Sequence, residues 1–223
     1  RPFFLYLAHW GVHTPLQATR EDYEALSDIE LHRERVYAAM IRSLDRGVGQ
    51  VMEALKANGL DDNTLVMFTS DNGGAGYIGL PDVNDPYRGW KITLFEGGIR
   101  VPYLARWPAK LPAGATYDAP VNHFDLYATA AAAAGADLPG DRVMDGVDLT
   151  HFITCAEETE APHDYLFFRS GAAQAVRDER WKLMVSAPQG LPRKEWLFDL
   201  SADGEWTDHL AEFPGIADRL RDV

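Results

Sequence analysis

The segment TLVMFTSDNGG, residues 64–74, is the part of the chain from which its architecture can be inferred. Residues 65–69 form a short, nearly continuous run of apolar and β-favouring side chains, which is typical of a strand covered on both faces. The run ends in Ser70, Asp71 and Asn72, followed by two glycines that permit tight turns. In open α/β sheets, ligands bind at the carboxyl ends of strands. The segment therefore predicts a buried strand that delivers polar side chains to a binding edge.

Asp71 and Asn72 supply a carboxylate and an amide oxygen side by side. Oxygen donors of this kind are preferred by Ca²⁺ and Mg²⁺. A plain turn after a strand explains an isolated SDNGG more simply. The interpretation of Asp71 and Asn72 as metal ligands therefore depends on the rest of the chain.

The composition indicates a soluble globular protein with an acidic surface. The 223 residues suffice for one large or two small domains with a real core. The net charge of −13 argues against a general binder of nucleic acid or of anionic membranes, because both attract basic surfaces. No apolar run approaches the roughly 20 residues that span a bilayer. We therefore expect neither nucleic acid nor membrane as a partner.

Cys155 is the single cysteine, which excludes an internal disulfide. It lies in a polar stretch without metal-ligand spacing, which favours a structural thiol. The chain begins with Arg1, without an initiator methionine or signal peptide, and continues directly into an apolar run at residues 3–8. We expect that the chain enters its fold partway through.

The spacing of apolar residues predicts a βαβ unit. Residues 3–8 have the pattern of a buried strand, and residues 36–55 repeat apolar side chains at helical spacing before the strand at 65–69. A strand, a helix and a second strand in this order predict a parallel sheet. Residues 101–107 predict a further strand.

The predicted elements change from helices to short strands after Cys155. Before it, residues 123–134 predict a helix, and a turn at 145–149 leads to a short helix. Four short strands separated by turn-like segments then predict an antiparallel meander, at 165–169, 173–177, 181–185 and 196–200. Residues 208–220 predict a terminal helix. These patterns predict a main α/β domain over residues 1–155 and a small α+β subdomain over residues 156–223.

Four cationic or titratable side chains lie in loops at the ends of predicted strands. His13 follows the opening run, and Arg88, Lys91 and Arg100 lie around the glycine-rich segment that precedes residues 101–107. Such residues in loops are usually solvated. Beside an acidic pair at a strand end, they become candidates for holding an anionic substrate whose oxygens also contact a metal.

Several segments, taken in order, resemble the sulfatase family of the alkaline-phosphatase-like hydrolases. They are PFFLYLAHWGVHTPLQA, YAAMIRSLDRGVGQVMEALKANGLDDNTLVMFTSDNGG, RGWKITLFEGGIRVPYLARWP, HFDLYAT, DGVDL, AVRDERWKL and LFDLSADGE. Each match is weak by itself, but the ordered set covers nearly the whole chain. By this resemblance the chain is identified as a member of the family.

The resemblance implies an α/β fold, an alkaline-phosphatase-like sandwich present in part, with a small C-terminal antiparallel sheet and helix. It implies hydrolysis of sulfate esters at a site with one divalent cation, usually Ca²⁺. Asp71 and Asn72 match two of the family's metal ligands. His13 matches the histidine that contacts the sulfate or the leaving-group oxygen, and Lys91 matches the lysine that binds sulfate oxygens. Arg88 and Arg100 are expected to support this substrate site.

Two family motifs do not occur in the sequence. The family's nucleophile is a cysteine in C-x-P-S-R or C-x-A-S-R that is oxidised to formylglycine, and a pair of aspartates near the N-terminus completes the metal site. Cys155 precedes Ala156 and Glu157 and does not match. We expect both motifs upstream of Arg1, in a missing N-terminal part of the same protein. This chain by itself is then expected to be an inactive fragment.

Two alternatives remain open at this stage. One is a phosphonate or phosphodiester hydrolase of the same superfamily, and the other is a non-catalytic module that binds sulfated glycans. The segment LFFRSGAAQAVRDERWKL, residues 166–183, resembles the C-terminal portion of sulfatases that act on aryl or sugar sulfates. The acidic surface favours a small ester or a short oligosaccharide over a long polyanion. Because the family is often exported, we expect a periplasmic or secreted protein.

Overall fold

The computed structural model describes residues 1–155 and 161–223. The helices in this part of the chain are α1 (Arg20–Glu24), α2 (His32–Ala57), α3 (Glu96–Ile99), α4 (Phe124–Ala133), α5 (Thr150–Thr154) and α6 (Pro214–Arg221), with a 3₁₀ turn at Gly76–Ile78. The strands are β1 (Val66–Thr69), β2 (Tyr103–Arg106), β3 (Leu166–Ser170), β4 (Ala173–Arg177), β5 (Trp181–Ser186) and β6 (Lys194–Asp199). Within these residues, no helix is both long and apolar enough to cross a bilayer.

The chain folds into two compact units. The first unit contains residues 1–64 and 77–80, and the second contains residues 65–76 and 81–223. The predicted domain boundary after Cys155 falls on residues 156–160, which lie outside the described residues. The division into domains 1–155 and 156–223 stays a prediction.

In the first unit, α1 packs on the predicted amphipathic helix, which is confirmed as α2. Thr19 caps α1, since its Oγ1 accepts a hydrogen bond from the backbone N–H of Asp22 at 3.1 Å. The Asp22 carboxylate is fully buried and pairs with Arg42 and Arg46 of α2. The hydrogen bond from Arg46 is the main cause that lowers the pKa of Asp22 far below its ordinary value. This ion cluster fixes α1 on α2.

The predicted opening strand is wrong in this structure. Residues 3–8 form no strand, and the side chains of residues 3–7 are between 51% and 82% exposed. An apolar β-favouring run becomes a strand only where a neighbouring strand pairs with its backbone. No described strand pairs with this run.

The predicted parallel sheet is also wrong for the described residues. β1 pairs with β2 in antiparallel register, so that Thr69 lies opposite Tyr103 and Val66 lies opposite Arg106. The predicted parallel partner of β1 was the run at residues 3–8, which forms no strand. The antiparallel register places the start of β2 beside the end of β1. Arg100, which precedes β2, therefore lies at the same end of the sheet as Asp71.

The predicted meander is confirmed as an antiparallel sheet in the order β3-β4-β5-β6. Alternate residues of β5 face opposite sides, as a strand requires. Leu183 packs with α6 in one core cluster, whereas Met184 packs with Leu94 and Phe198 in another. Lys182 has the parity of Met184, so it faces the side on which Leu94 and the adjoining α3 lie.

Asp125, in the first turn of α4, links this helix to segments that are distant in the sequence. Its fully buried carboxylate accepts hydrogen bonds from the backbone N–H of Asn122 at 2.7 Å and of Val147 at 3.0 Å. His163 Nε2 also donates to it, at 2.9 Å. Asp125 therefore connects α4 to the segments on either side of α5.

Candidate functional site

The loop after β1 presents Asp71 and Asn72 as predicted. Asp71 is exposed and Asn72 is half-buried. Ser70 Oγ donates to the carbonyl oxygen of Asn72 at 2.9 Å, and Asn72 Nδ2 donates to the carbonyl oxygen of Gly73 at 3.1 Å. The amide nitrogen of Asn72 is thereby engaged by backbone, which leaves its Oδ1 as the side-chain acceptor.

The glycines behind this loop allow three backbone segments to approach one another closely. Gly73 N donates to the carbonyl oxygen of Gly98 at 3.0 Å, and a Cβ on Gly73 would lie 1.8 Å from the carbonyl oxygen of Gly97. A Cβ on Gly97 would lie 2.5 Å from the carbonyl oxygen of Gly89. We call residues 71–74, 87–93 and 95–98 the glycine layer.

Lys91 lies in a tight turn of this layer. Its backbone N–H donates to the carbonyl oxygen of Gly74 at 3.0 Å, and Thr93 Oγ1 closes the turn by donating to the carbonyl oxygen of Trp90 at 2.7 Å. Ile92, beside Lys91, has a φ of 84°, which is unusual for a β-branched residue. Such a conformation costs roughly 1–3 kcal/mol and is typical of functional sites held by their surroundings.

Asn84 joins the loops of Asn72 and Lys91, a role that the sequence did not indicate. Its Oδ1 accepts from Gly74 N at 2.7 Å, and its Nδ2 donates to the carbonyl oxygens of Gly74 and Gly89, both at 3.0 Å. One side chain thus ties both segments together through three hydrogen bonds. The sequence signal was weak, because Asn in a Gly- and Pro-rich loop is common.

Arg88 and Arg100 have protein contacts of their own. Arg88 donates to the carbonyl oxygen of Glu205 at 2.7 Å, and its guanidinium lies 4.2 Å from the centroid of the Phe95 ring. The guanidinium of Arg100 lies 4.7 Å from the centroid of the Tyr87 ring. The contacts of Arg88 position the loop, and a role of either arginine in substrate binding stays a prediction.

His13 belongs to the first unit, whereas the other predicted site residues belong to the second. Its Nδ1 donates to the carbonyl oxygen of Thr14 at 3.0 Å, and its Nε2 lies 3.4 Å from the hydroxyl of Tyr77. In the neutral ring this leaves Nε2 as the proton-accepting nitrogen. A cavity of about 390 Å³ in the same unit is lined by Thr14, Leu16, His32, Arg33, Val36, Tyr77 and Ile78.

Asp71 and Asn72 are the right type of ligand for a divalent cation, but two ligands are too few to hold one. Both supply the hard oxygen that Ca²⁺ and Mg²⁺ prefer, yet Ca²⁺ takes 6–8 oxygen ligands. Within residues 1–155 and 161–223, no group of three or more His, Cys, Asp or Glu side chains could hold a metal. The two residues therefore fit one part of a metal site.

A buried ion network lies behind the glycine layer, and the sequence did not reveal it. Glu96, Lys182 and Glu205 are each at most 3% exposed. Lys182 Nζ lies 3.0 Å from Glu96 Oε1 and 2.7 Å from Glu205 Oε1. The only sequence signal was one lysine inside the apolar run of residues 181–185, which did not identify its partners.

Replacing Gly73 by alanine should push apart the segments of the glycine layer that contain Gly73 and Gly97. Because the added methyl would overlap the carbonyl oxygen of Gly97, we expect a loss of about 3 kcal/mol or more in the free energy of unfolding. Gly215→Ala in α6 is the matched control, since its Cβ meets nothing within 4 Å. It should be neutral or stabilising by up to about 1 kcal/mol. Urea unfolding of both variants measures the difference, and equal stability would contradict the packing described for Gly73.

Comparisons with known proteins place these features in a family. A family model described as Sulfatase matches residues 1–136. The chain is 37% identical to steryl-sulfatase of Mus musculus over 97% of its own length and 34% of that protein. It is 36% identical to N-acetylgalactosamine-6-sulfatase of Canis lupus familiaris, over 82% of its own length and 34% of that protein. The chain thus spans about a third of the length of these relatives.

Solved structures give the same result for the fold. The crystal structure of Ps i-CgsB in complex with k-i-k-neocarrahexaose matches with a TM-score of 0.86 and 36% identity, over 99% of this chain and 49% of that one. PsFucS1 sulfatase from Pseudoalteromonas sp. matches with a TM-score of 0.76 at 23% identity, over 95% of this chain and 45% of that one. These similarities confirm the expected alkaline-phosphatase-like α/β fold, present in part.

Proposed function

The chain belongs to the sulfatase family, and from this premise we propose that it contributes part of the active site of an enzyme that hydrolyses sulfate esters. The observation that carries the proposal is the glycine layer, which joins the loop of Asp71 and Asn72 to the turn of Lys91 by backbone hydrogen bonds. A metal-ligand pair and a sulfate-binding cation belong on one rigid support, because transition-state stabilisation requires fixed geometry.

The proposed roles follow from the chemistry of the side chains. The Lys91 ammonium binds the peripheral sulfate oxygens, where negative charge resides throughout the reaction. Asp71 and Asn72 supply two ligands to a divalent cation, Ca²⁺ in the first instance. When bound, this cation would supply Lewis-acid stabilisation of the sulfate oxygens. His13 contacts the sulfate or the leaving-group oxygen through Nε2, and Arg88 and Arg100 support the substrate site.

The nucleophile of the proposed enzyme is formylglycine contributed by a segment outside residues 1–223. The support is that this sequence lacks the family's cysteine motif and spans about a third of the length of its curated relatives. Cys155 does not supply it, because no part of the motif surrounds it.

The proposed substrate is an aryl or sugar sulfate, with a short sulfated saccharide favoured. The support comes from relatives, one of which is named as an N-acetylgalactosamine-6-sulfatase and another of which was solved with k-i-k-neocarrahexaose. The net charge of −13 adds to this, since it disfavours a long polyanion more than a small ester.

A comparison of ester classes tests the proposal. The full-length protein is assayed with the sulfate monoester, a phosphonate monoester and a phosphodiester of the same phenol. We expect kcat/KM for the sulfate to exceed the others by at least about 100-fold, corresponding to roughly 2.7 kcal/mol of differential transition-state binding. A preference for the phosphonate or diester would favour the related hydrolases. Binding of a sulfated oligosaccharide without turnover of any ester would favour a non-catalytic module.

A further inference from the structure

The ion network behind the glycine layer joins the C-terminal sheet to α3. Lys182 lies in the middle of that sheet, on β5, and is fully buried, which is rare for a lysine. Glu96 is the first residue of α3. Besides its ion pair with Lys182, it forms a second one through Oε2, which lies 3.1 Å from Arg177 Nη1 of β4. Glu205 Oε1 lies against the other side of the lysine. The charges of two cations and two carboxylates therefore balance here, with Arg177 half-buried and the other three buried.

Glu205 also contacts residues on both sides of the Lys91 turn, the Arg88 guanidinium before it and the Glu96 backbone after it. Its Oε2 accepts the backbone N–H of Glu96, at the start of α3, and its carbonyl oxygen accepts from Arg88. Burial raises the pKa of the Glu205 carboxyl, and Lys182 opposes this shift. The lysine thus favours the ionised carboxylate, whose Oε2 accepts the backbone N–H of Glu96.

The contact from α3 to the Lys91 turn is made largely by backbone atoms. Gly97 N donates to the carbonyl oxygen of Arg88 at 2.7 Å. A Cβ on Gly98 would lie 2.3 Å from the carbonyl oxygen of Thr93 and 2.6 Å from that of Trp90. Because these atoms are in such close contact, we expect a displacement of α3 to move the turn.

Stability does not require a network of this kind when all of its members are replaced together, whereas removal of one member leaves buried charge unpaired. Buried ion pairs are often replaceable by apolar residues without loss, because desolvation offsets their attraction. The surrounding cluster of Leu94, Met184 and Phe198 would accommodate an apolar side chain. An apolar residue could not replace the ion pairs by which Lys182 fixes the positions of Glu96 and Glu205.

We propose that Lys182 is a positioning residue, which through Glu96 and Glu205 fixes α3 and the strained turn that presents Lys91 to the sulfate group. The inference rests on the proposed role of Lys91 for its catalytic meaning. The structural part of the inference is that a buried lysine of the C-terminal sheet fixes the turn, and this part does not depend on the role of Lys91. Lys182 itself contacts no substrate and acts only through the backbone of the glycine layer.

The test uses Lys182→Met in the full-length protein, because methionine keeps most of the volume and removes the charge. We expect amide exchange of peptides covering residues 87–98 to accelerate at least about tenfold, while peptides of α2 exchange as in the wild type. With folded protein at a permissive temperature, KM for an aryl sulfate should rise and kcat/KM should fall roughly 10- to 100-fold, since the turn is displaced.

Arg180→Met is the matched control. Arg180 precedes β5 and pairs with Asp199 at 2.6 Å, so its ion pair lies on the same sheet but engages neither Glu96 nor Glu205. It should leave exchange at residues 87–98 and KM unchanged. If Lys182→Met lowers Tm but leaves both exchange and KM as in the wild type, the lysine is merely structural and the proposal is overturned.

A second variant and the exchange measurement test the inference even if Lys182→Met does not fold or the protein is inactive. If Lys182→Met does not fold, Glu205→Gln takes its place, because it keeps the volume but sets an amide against the ammonium of Lys182, and the same acceleration is expected. If the wild-type protein hydrolyses no sulfate ester, the proposed function fails, yet faster exchange at residues 87–98 in either variant still supports control of the turn. Unchanged exchange in both variants overturns it whether or not the enzyme is active.

Discussion

Lys91→Ala should lower kcat for sulfate-ester hydrolysis by about 10²–10³-fold, the range found when one preorganised charge-stabilising group is removed. The ammonium of Lys91 is proposed to bind sulfate oxygens and not the cation, so bound metal should remain at the wild-type level. The hydrogen bond from Lys91 to Gly74 is made by the backbone N–H, so the substitution leaves this bond in place. Steady-state kinetics and metal analysis of the same preparation measure both quantities.

Lys110→Ala is the control for Lys91. Lys110 follows β2 and lies over the ring of Trp107, 4.2 Å from its centroid. In the register of β1 with β2 it comes after the end opposite to Thr69 and Tyr103. Its removal should leave turnover unchanged. Wild-type kcat in Lys91→Ala, or an equal loss in Lys110→Ala, would refute the assignment of Lys91.

Asp71→Ala should remove metal and activity together. Substitution of groups that merely support metal ligands costs 10- to 100-fold in affinity or activity, and we expect the loss of a charged ligand to weaken metal affinity by more than about 100-fold. Calorimetric titration with Ca²⁺ after chelation measures the affinity, and added Ca²⁺ at high concentration should restore part of the turnover. Restoration by metal separates this variant from Lys91→Ala, which Ca²⁺ should not rescue.

The matched control for Asp71 is Asp82→Ala. Asp82 is an exposed carboxylate in the loop that follows the same site segment. It removes the same charge and should change neither metal affinity nor turnover. Metal affinity at the wild-type level in Asp71→Ala would mean that Asp71 is a turn residue, as the simplest interpretation of SDNGG has it.

Elements with a local signal were predicted well. α2 follows from apolar residues at helical spacing, and the meander follows from short strands punctuated by turns, which the antiparallel register of β4 with β5 confirms. The run at residues 3–8 carried an equally clear strand pattern but formed no strand. The difference is physical, because a helix satisfies its backbone internally whereas a strand depends on a neighbour that the local sequence does not specify.

The site residues, too, were predictable where the signal was local and not where it depended on distant partners. Asp71 and Asn72 were predictable because they follow β1 directly, and the structure presents both at its carboxyl end. The network around Lys182 was not, because the lysine lies 86 positions from Glu96 and 23 from Glu205 in sequence. Backbone packing of Gly73 against Gly97 was equally hidden, since a glycine-rich segment is also typical of an ordinary turn.

Binding and support are assigned to different parts of the second unit. The loops of the glycine layer carry Asp71, Asn72 and Lys91, whereas the C-terminal sheet supplies the ions that hold α3. Supporting groups of this kind determine whether a binding residue is correctly placed, because errors of about 1 Å are costly in catalysis. The small sheet is therefore expected to matter for turnover as well as for stability.

The most direct measurement is a crystal structure of the full-length protein with Ca²⁺ and a sulfamate analogue of an aryl sulfate. We predict that oxygens of Asp71 and Asn72 lie about 2.3–2.6 Å from the cation, and that Lys91 Nζ lies within about 2.7–3.2 Å of a sulfamate oxygen. A cation bound elsewhere, with both side chains and Lys91 turned away from the analogue, would contradict the proposed site.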